Sequence, residues 1–418
     1  MPQSYTQSGR RLGFAVLFFV LCTILIVTLE PLQFRIPRRV HLMWWDGWFD
    51  VIANVGLFMI PGFLFGLARQ ATTGTESPTE RRAATLKLAF IYGAIVSSTI
   101  ELIQTFEPAR YPSPTDVLSN TTGMWLGTWT FLRISRLLGS DTPLIGMFAL
   151  EMPLMGLVYL LAPLCMLTSL TLPHAAAASG VLGMAPRAYG LLALASFIGV
   201  LLGHVQRNRF GPKGLVSARQ TAAAAAGAFA VGALPALPAN PLLVAMGASF
   251  AASIAWCFGT LFIRPPRSAN RRFEGTALRR AAPFFIGYLV LASIATTAAS
   301  SRVSKVQLIS QVESYAAFTV FGFLLAEGWG RLELRYRWVV AYVGTVSLAT
   351  AYVLRMVGQP SPFTVWVAVS LVTHAIAGAY GGWIYHLQRA HVRSLVAAQR
   401  AATPAESRYT GEGFSSAA

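Results

Sequence analysis

The sequence predicts an all-α membrane protein: a polytopic bundle of about 12 transmembrane helices with both termini in the cytoplasm. Three observations predict it. Charged residues are 12% of the 418 and apolar residues 55%, against roughly 25% charged in a soluble domain; mean hydropathy is +0.55. The apolar residues fall in blocks of roughly 17–25, the length that crosses about 30 Å of hydrocarbon. Basic residues gather between alternate blocks. Lipid offers a bare backbone N–H or C=O no partner, so each block must close its own hydrogen bonds as a helix.

Taken in order, the first block, 12–29, follows Arg10 and Arg11. No small-residue cleavage site follows it, which predicts a retained helix and not a removed signal peptide. The blocks 48–68, 86–105 and 117–138 complete a first four-helix module, residues 1–138. Eight more follow at 145–170, 187–204, 219–236, 241–263, 282–300, 314–330, 338–357 and 363–387. The stretch 219–236 is rich in Ala and Gly and holds Pro235, which a helix interior disfavours. These eight make a second region, 139–400. The remainder, 401–418, is small and polar and predicted to be disordered.

The charge distribution sets the orientation. With the N-terminus inside, 25 of the 33 Lys and Arg fall on the cytoplasmic side and 8 outside, the bias that positive-inside topology produces. Arg35, Arg38, Arg39, Arg110, Arg187, Arg302, Lys305 and Arg355 are the outer eight. The net charge of +17 therefore reports topology and not a nucleic-acid partner, since no basic face exists on a soluble domain. Topology alone accounts for the basic loop 264–280, contact with anionic lipid headgroups being the alternative. The lipid bilayer is the expected partner, and a bacterial cytoplasmic (inner) membrane the expected location. Cys22, Cys165 and Cys257 sit singly inside apolar blocks, without a CxxC or a disulfide framework. No metal set and no haem, flavin or nucleotide motif occurs, so neither metal nor cofactor is expected.

Ionisable and amide groups inside a membrane are costly and need a reason. In the first module they form a pattern. Asp50 and Asn54 are spaced i, i+4 at the start of the second block. Ser97 and Glu101 share that spacing near the end of the third, with Gln104 three residues on. Asp116 and Asn120 repeat it at the start of the fourth. Residues so spaced share one helix face. The second and fourth blocks run inward and the third outward, so all these groups fall within about one turn, roughly 5.4 Å, of the outer surface. The intervening loop adds Glu107, Arg110 and Tyr111, stiffened by Pro108, Pro112 and Pro114. Below the polar layer, Gly123 and Gly127 form a GxxxG spacing for close helix packing. Pro61 and Gly62 predict a kink in the second helix.

The segment Asp50-Val-Ile-Ala-Asn54-Val-Gly-Leu-Phe58-Met-Ile-Pro61-Gly62-Phe63, and then Glu101-Leu-Ile-Gln104, Arg110 and Asp116-Val-Leu-Ser-Asn120-Thr-Thr-Gly123-Met-Trp-Leu-Gly127, stand in an order and spacing that resembles the VanZ-like family. The resemblance covers about residues 12–138. It implies a small helical membrane module acting at the cell envelope, the founding member being linked to resistance to the glycopeptide teicoplanin. It assigns no catalytic residue. It implies that Asp50, Asn54, Glu101, Gln104, Arg110, Asp116 and Asn120 occupy signature positions.

The last four helices echo the first four. Gly322-Phe323-Leu324-Leu325 resembles Gly62-Phe63-Leu64-Phe65, Ser361-Pro362 resembles Ser113-Pro114, and Gly381-Gly382-Trp383 resembles Gly127-Thr128-Trp129. Chance similarity of apolar helices is the leading reading of these echoes; a degenerate parallel repeat over 282–388 is the alternative, with Glu313 as a displaced signature acid. His374, mid-helix, reads as a hydrogen-bonded interior histidine. His204, His386 and Glu327 are expected to reach the interface, and Glu151 to sit at a helix N-terminus.

Three functions compete. The first is an envelope protein whose outward polar pocket binds or modifies a polar or lipid-linked ligand, with Arg110 anchoring a phosphate or carboxylate. Glycopeptide resistance and polysaccharide or peptidoglycan processes suit that place. The second is a membrane enzyme using Glu101 and Asp116 as an acid/base pair; the lack of a nucleophile beside a base makes the sequence lean away from an enzyme. The third is a secondary transporter, against which the polar groups lie at the rim and not the midplane.

Overall fold

Long apolar runs without interior breakers give helices, and helices are what the chain forms. The computed structural model describes residues 3–29, 34–36, 42–44, 47–70, 78–108, 111–137, 160–161, 163–165, 167–168, 185–200, 218–233, 241–261, 273–298, 305–329, 335–358 and 364–402. No strand occurs among them. The helices are α1 (Gln3–Leu29), α2 (Trp48–Gln70), α3 (Pro78–Gln104), α4 (Pro114–Leu137), α5 (Ala185–Val200), α6 (Ala218–Gly232), α7 (Pro241–Leu261), α8 (Phe273–Ala298), α9 (Lys305–Trp329), α10 (Tyr336–Gly358) and α11 (Val365–Ala402). Further helical residues lie within 160–168.

Six helices among the described residues are long and apolar enough to cross a membrane: α1, α2, α3, α9, α10 and α11. Shorter apolar stretches occupy α5, α6, α7 and α8. The protein is an all-helical, multi-pass membrane protein. The sequence expectation of about twelve spans is larger than this set, for two physical reasons. The 24 residues of α4 have the length, about 36 Å at 1.5 Å per residue. Asp116, Ser119, Asn120, Thr121, Thr122, Thr128 and Thr130 nevertheless make it polar. The 15 residues of α6, about 22 Å, are too short to span alone. Most of the predicted helix 145–170 falls outside the described residues, as do Glu151, His204 and residues 262–272; of the predicted loop 264–280, residues 273–280 are instead the start of α8.

Several helices outrun their apolar blocks. Pro78 starts α3 well before residue 86, because Pro suits a first helical position and Glu80 complements the positive N-terminal dipole. The 38 residues of α11 pass the predicted end at 387, since Gln388–Ala402 holds good helix formers and neither Gly nor Pro. The first two residues of the expected tail are thus helical, and 403–418 lie outside the described residues.

The first module is built on the α2–α4 seam, with α3 against α4 and α1 against α2. Glycines let the two backbones meet. A Cβ on Gly62 would press on the Met124 backbone, and one on Gly127 would lie 2.8 Å from both Met59 C and Phe63 N. A Cβ on Gly123 would meet Val55 O and Phe58. Such close approach is what small residues supply in membranes, where apolar burial does not favour helix over lipid. The Pro61 ring lies within α2, which continues through it.

The outer helices add a second bundle. In it α9 packs against α11 and α10 against α11, while α8 touches α9 and α10. The bundles join where α1 packs against α11: Tyr380 OH donates to Ala15 O at 2.8 Å, and the Ser8 and Ser394 hydroxyls are 3.0 Å apart. The helices α5, α6 and α7 share a separate small core, Leu191 and Ala195 with Ala225, Phe229, Val244 and Ala251.

Two charges differ from expectation. Arg187, counted among the outer loop charges, is 4% exposed at the start of α5. Its guanidinium pairs with Glu313 at 3.2 Å and donates to Ser310 Oγ at 2.6 Å. Glu313 also accepts from Tyr288 OH at 2.9 Å, and Tyr288 meets Thr168 Oγ1 at 3.1 Å. A buried charge needs such a partner. Glu327 is buried within the protein. His386 is half-buried with its ring against Tyr336, 5.1 Å between centroids.

Candidate functional site

The signature polar residues start from helix periodicity. Their i, i+4 spacing turns each pair to one face, and the seam geometry aims the faces at one another. The first turns of α2 and α4 and the last turns of α3 meet at the same end of the bundle.

Asn54 is the hinge of the layer. Its Nδ2 donates to Asp116 Oδ1 at 2.9 Å and to Asp50 Oδ2 at 3.3 Å. The two carboxylate oxygens are therefore no more than about 6 Å apart, across one amide nitrogen. One turn along α4, Asn120 Nδ2 donates to Ser97 Oγ of α3 at 2.9 Å, and the Ser97 hydroxyl points to the Asp116 carbonyl at 3.5 Å. Asn120 is 3% exposed, and its Oδ1 has no hydrogen-bond partner.

Glu101 and Gln104 fix the surrounding chain. Glu101 Oε2 accepts the Ser113 N–H at 2.7 Å, just ahead of Pro114, the first residue of α4. A carboxylate at a helix N-terminus satisfies an orphan donor and complements the dipole. Gln104 Nε2 donates to Thr28 O at 2.9 Å, tying α3 to the end of α1. The connection between α1 and α2 runs along the α3–α4 loop: Arg35 N donates to Phe106 O, Met43 N to Pro112 O, and Thr115 Oγ1 to Trp44 O. Glu107 of that loop is buried, and Tyr111 is exposed.

Six of the seven signature residues thus stand in or beside one layer. The seventh, Arg110, lies outside the described residues. The Asp50–Asn54–Asp116 triangle and the Asn120–Ser97 bond form its inner part; Glu101 and Gln104 brace its wall. For acid/base chemistry, Glu101 already commits one oxygen to Ser113, and Asp116 one to Asn54. Sequence reasoning named Ser97 but did not see that it receives Asn120, nor that Ser113 and Thr28 complete the frame. Backbone partners leave no residue-type signal. Among the described residues no cluster of His, Cys, Asp and Glu could hold a metal.

Residues 3–138 match the model of the VanZ/LLP1 family. The first four helices are similar to the VanZ/LLP1 family. The match ends where α4 ends, so the VanZ-like domain is the α1–α4 module that carries the polar layer. No curated protein and no solved structure matches the chain. The VanZ-like domain covers the N-terminal third, and α5–α11 extend beyond it.

Proposed function

We propose that this VanZ-like membrane protein belongs to the bacterial cell envelope, sits in the inner membrane with both termini cytoplasmic, and binds a polar or lipid-linked envelope ligand in the layer built on Asn54. The observation that carries the reading is the Asn120 amide oxygen, buried and without a donor, one turn along α4 from Asp116. A buried acceptor left unsatisfied costs about 1–3 kcal/mol, and a ligand hydroxyl or amine recovers it. The layer is rich in acceptors, so it suits a donor-rich headgroup: a sugar or an amine. Arg110, from the same loop, is the natural anchor for the phosphate or carboxylate of a lipid-linked molecule. The lysine and arginine bias supports the outward orientation. Resistance to glycopeptides and the handling of polysaccharide or peptidoglycan precursors are the processes that this location serves.

The test separates site from scaffold. Asp50→Asn is isosteric, and Asp50 accepts one long bond from Asn54. The variant is expected at the parent's membrane level within about twofold, since half-exposed polar swaps cost little, yet with the envelope or glycopeptide sensitivity of a strain lacking the protein. Glu101→Gln and Arg110→Ala, scored for abundance and sensitivity together, extend the comparison. Full activity of Asp50→Asn, or sensitivity that falls only in step with abundance, overturns the binding reading.

A further inference from the structure

The seam between α9 and α11 repeats three contacts of the seam between α2 and α4. A Cβ on Gly127 would meet Met59 O and Phe63 N; a Cβ on Gly381 would meet Thr319 O and Phe323 N. A Cβ on Gly62 would meet the Met124 backbone; one on Gly322 would meet the Gly378 backbone. The Phe63 and Phe131 rings cross at 89° with centroids 5.2 Å apart, and the Phe323 and Tyr385 rings at 90° and 5.4 Å. Every α9 residue here lies 260 positions after its α2 counterpart, and every α11 residue 254 after its α4 counterpart. One constant register per helix therefore reproduces three contacts, two of glycine on backbone and one between rings. The stretch between α9 and α11 is shorter than that between α2 and α4, α10 having 23 residues where α3 has 27, and this accounts for the difference between the two registers. The neighbours agree as well: α8 touches α9 and α10, and α10 packs on α11, as α1 touches α2 and α3, and α3 packs on α4.

Carried toward the helix starts, the same registers put Ser310 and Ser314 at the places of Asp50 and Asn54, and Ser370 and His374 at those of Asp116 and Asn120. The polar seam persists there with different groups. His374 Nδ1 faces Ser370 O at 2.7 Å, and a carbonyl only accepts, so Nδ1 carries the hydrogen. The Ser314 hydroxyl then donates to His374 Nε2 at 2.8 Å. Tyr315 and Phe318 set their rings edge-on to the imidazole, with centroids 4.8 and 4.6 Å away. Glu313 corresponds to Ala53 and turns to Arg187, so it is not the displaced acid that the sequence suggested. Ser361-Pro362 lies outside the described residues.

We propose that α8–α11 are a second, diverged copy of the VanZ-like module, parallel to the first, whose polar layer has lost its carboxylates and is built on the Ser314–His374 pair. The chain then carries two polar layers of different charge at the same end of the bundle. This goes beyond the ligand reading above and does not depend on it, because the test uses no ligand.

The registers make a prediction that chance packing does not. Asn54 donates to Asp116, so Ser314→Asn and Ser370→Asp should find one another. The cycle is run on the full-length protein in detergent, in a His374→Asn background, so that the new carboxylate cannot pair with the imidazole. The double variant is expected to melt about 2 °C or more above the value that adding the two single effects gives. If Ser370→Asp alone fails to accumulate, recovery of membrane level by Ser314→Asn reads the same coupling. Additive effects, or no recovery, overturn the repeat.

Discussion

Gly127→Leu is expected to nearly abolish accumulation of the protein in the membrane, while Gly56→Leu leaves it unchanged. At Gly127 the added Cβ runs into backbone atoms of α2, Met59 and Phe63. A side chain can rotate away; a helix backbone can only move as a whole. Overpacking of a core costs typically 1–3 kcal/mol when side chains can yield, so about 3 kcal/mol is a lower bound here. That is a large part of the roughly 5–15 kcal/mol by which folded proteins exceed the unfolded state. Gly56, on α2, has nothing within 4 Å of its would-be Cβ. Membrane levels by immunoblot and melting in detergent check both. A normal level for Gly127→Leu would contradict the seam.

The second large effect concerns the buried ion pair. Arg187→Met leaves the Glu313 carboxylate in a dry interior with Tyr288. Removing one partner of a buried pair costs about 3–5 kcal/mol, while exchanging both for apolar residues of similar size is often neutral. The single variant is therefore expected to melt far below the parent, and Arg187→Met with Glu313→Leu to return most of the way. Tyr288 keeps Thr168 in the double variant. If the double variant melts as low as the single one, the polar network matters for more than pairing.

How much of this the sequence shows depends on the kind of contact. The layer at Asp50, Asn54, Asp116 and Asn120 was readable because i, i+4 spacing puts each pair on one face and three short spans share one end. The α2–α4 seam was readable because Gly123 and Gly127 have few other uses at that spacing. Arg187 was misread because a charge at a block boundary looks like a loop charge; only a partner 126 positions away shows that it is buried. The repeat was faint because the two helices carry different offsets, so no single shift aligns them. Packing removes that ambiguity by fixing each helix separately. The overlong ends of α3 and α11 were missed because hydropathy finds the membrane and not the helix, which continues wherever good helix formers do.

The proposed role requires the Asn54 layer to open to the outer face. The direct measurement is labelling of Asn54→Cys, in a form with Cys22, Cys165 and Cys257 replaced, by a membrane-impermeant thiol reagent added to intact spheroplasts. The account predicts modification from outside. Modification only after the inner face is exposed, in a variant at normal membrane level, would contradict it.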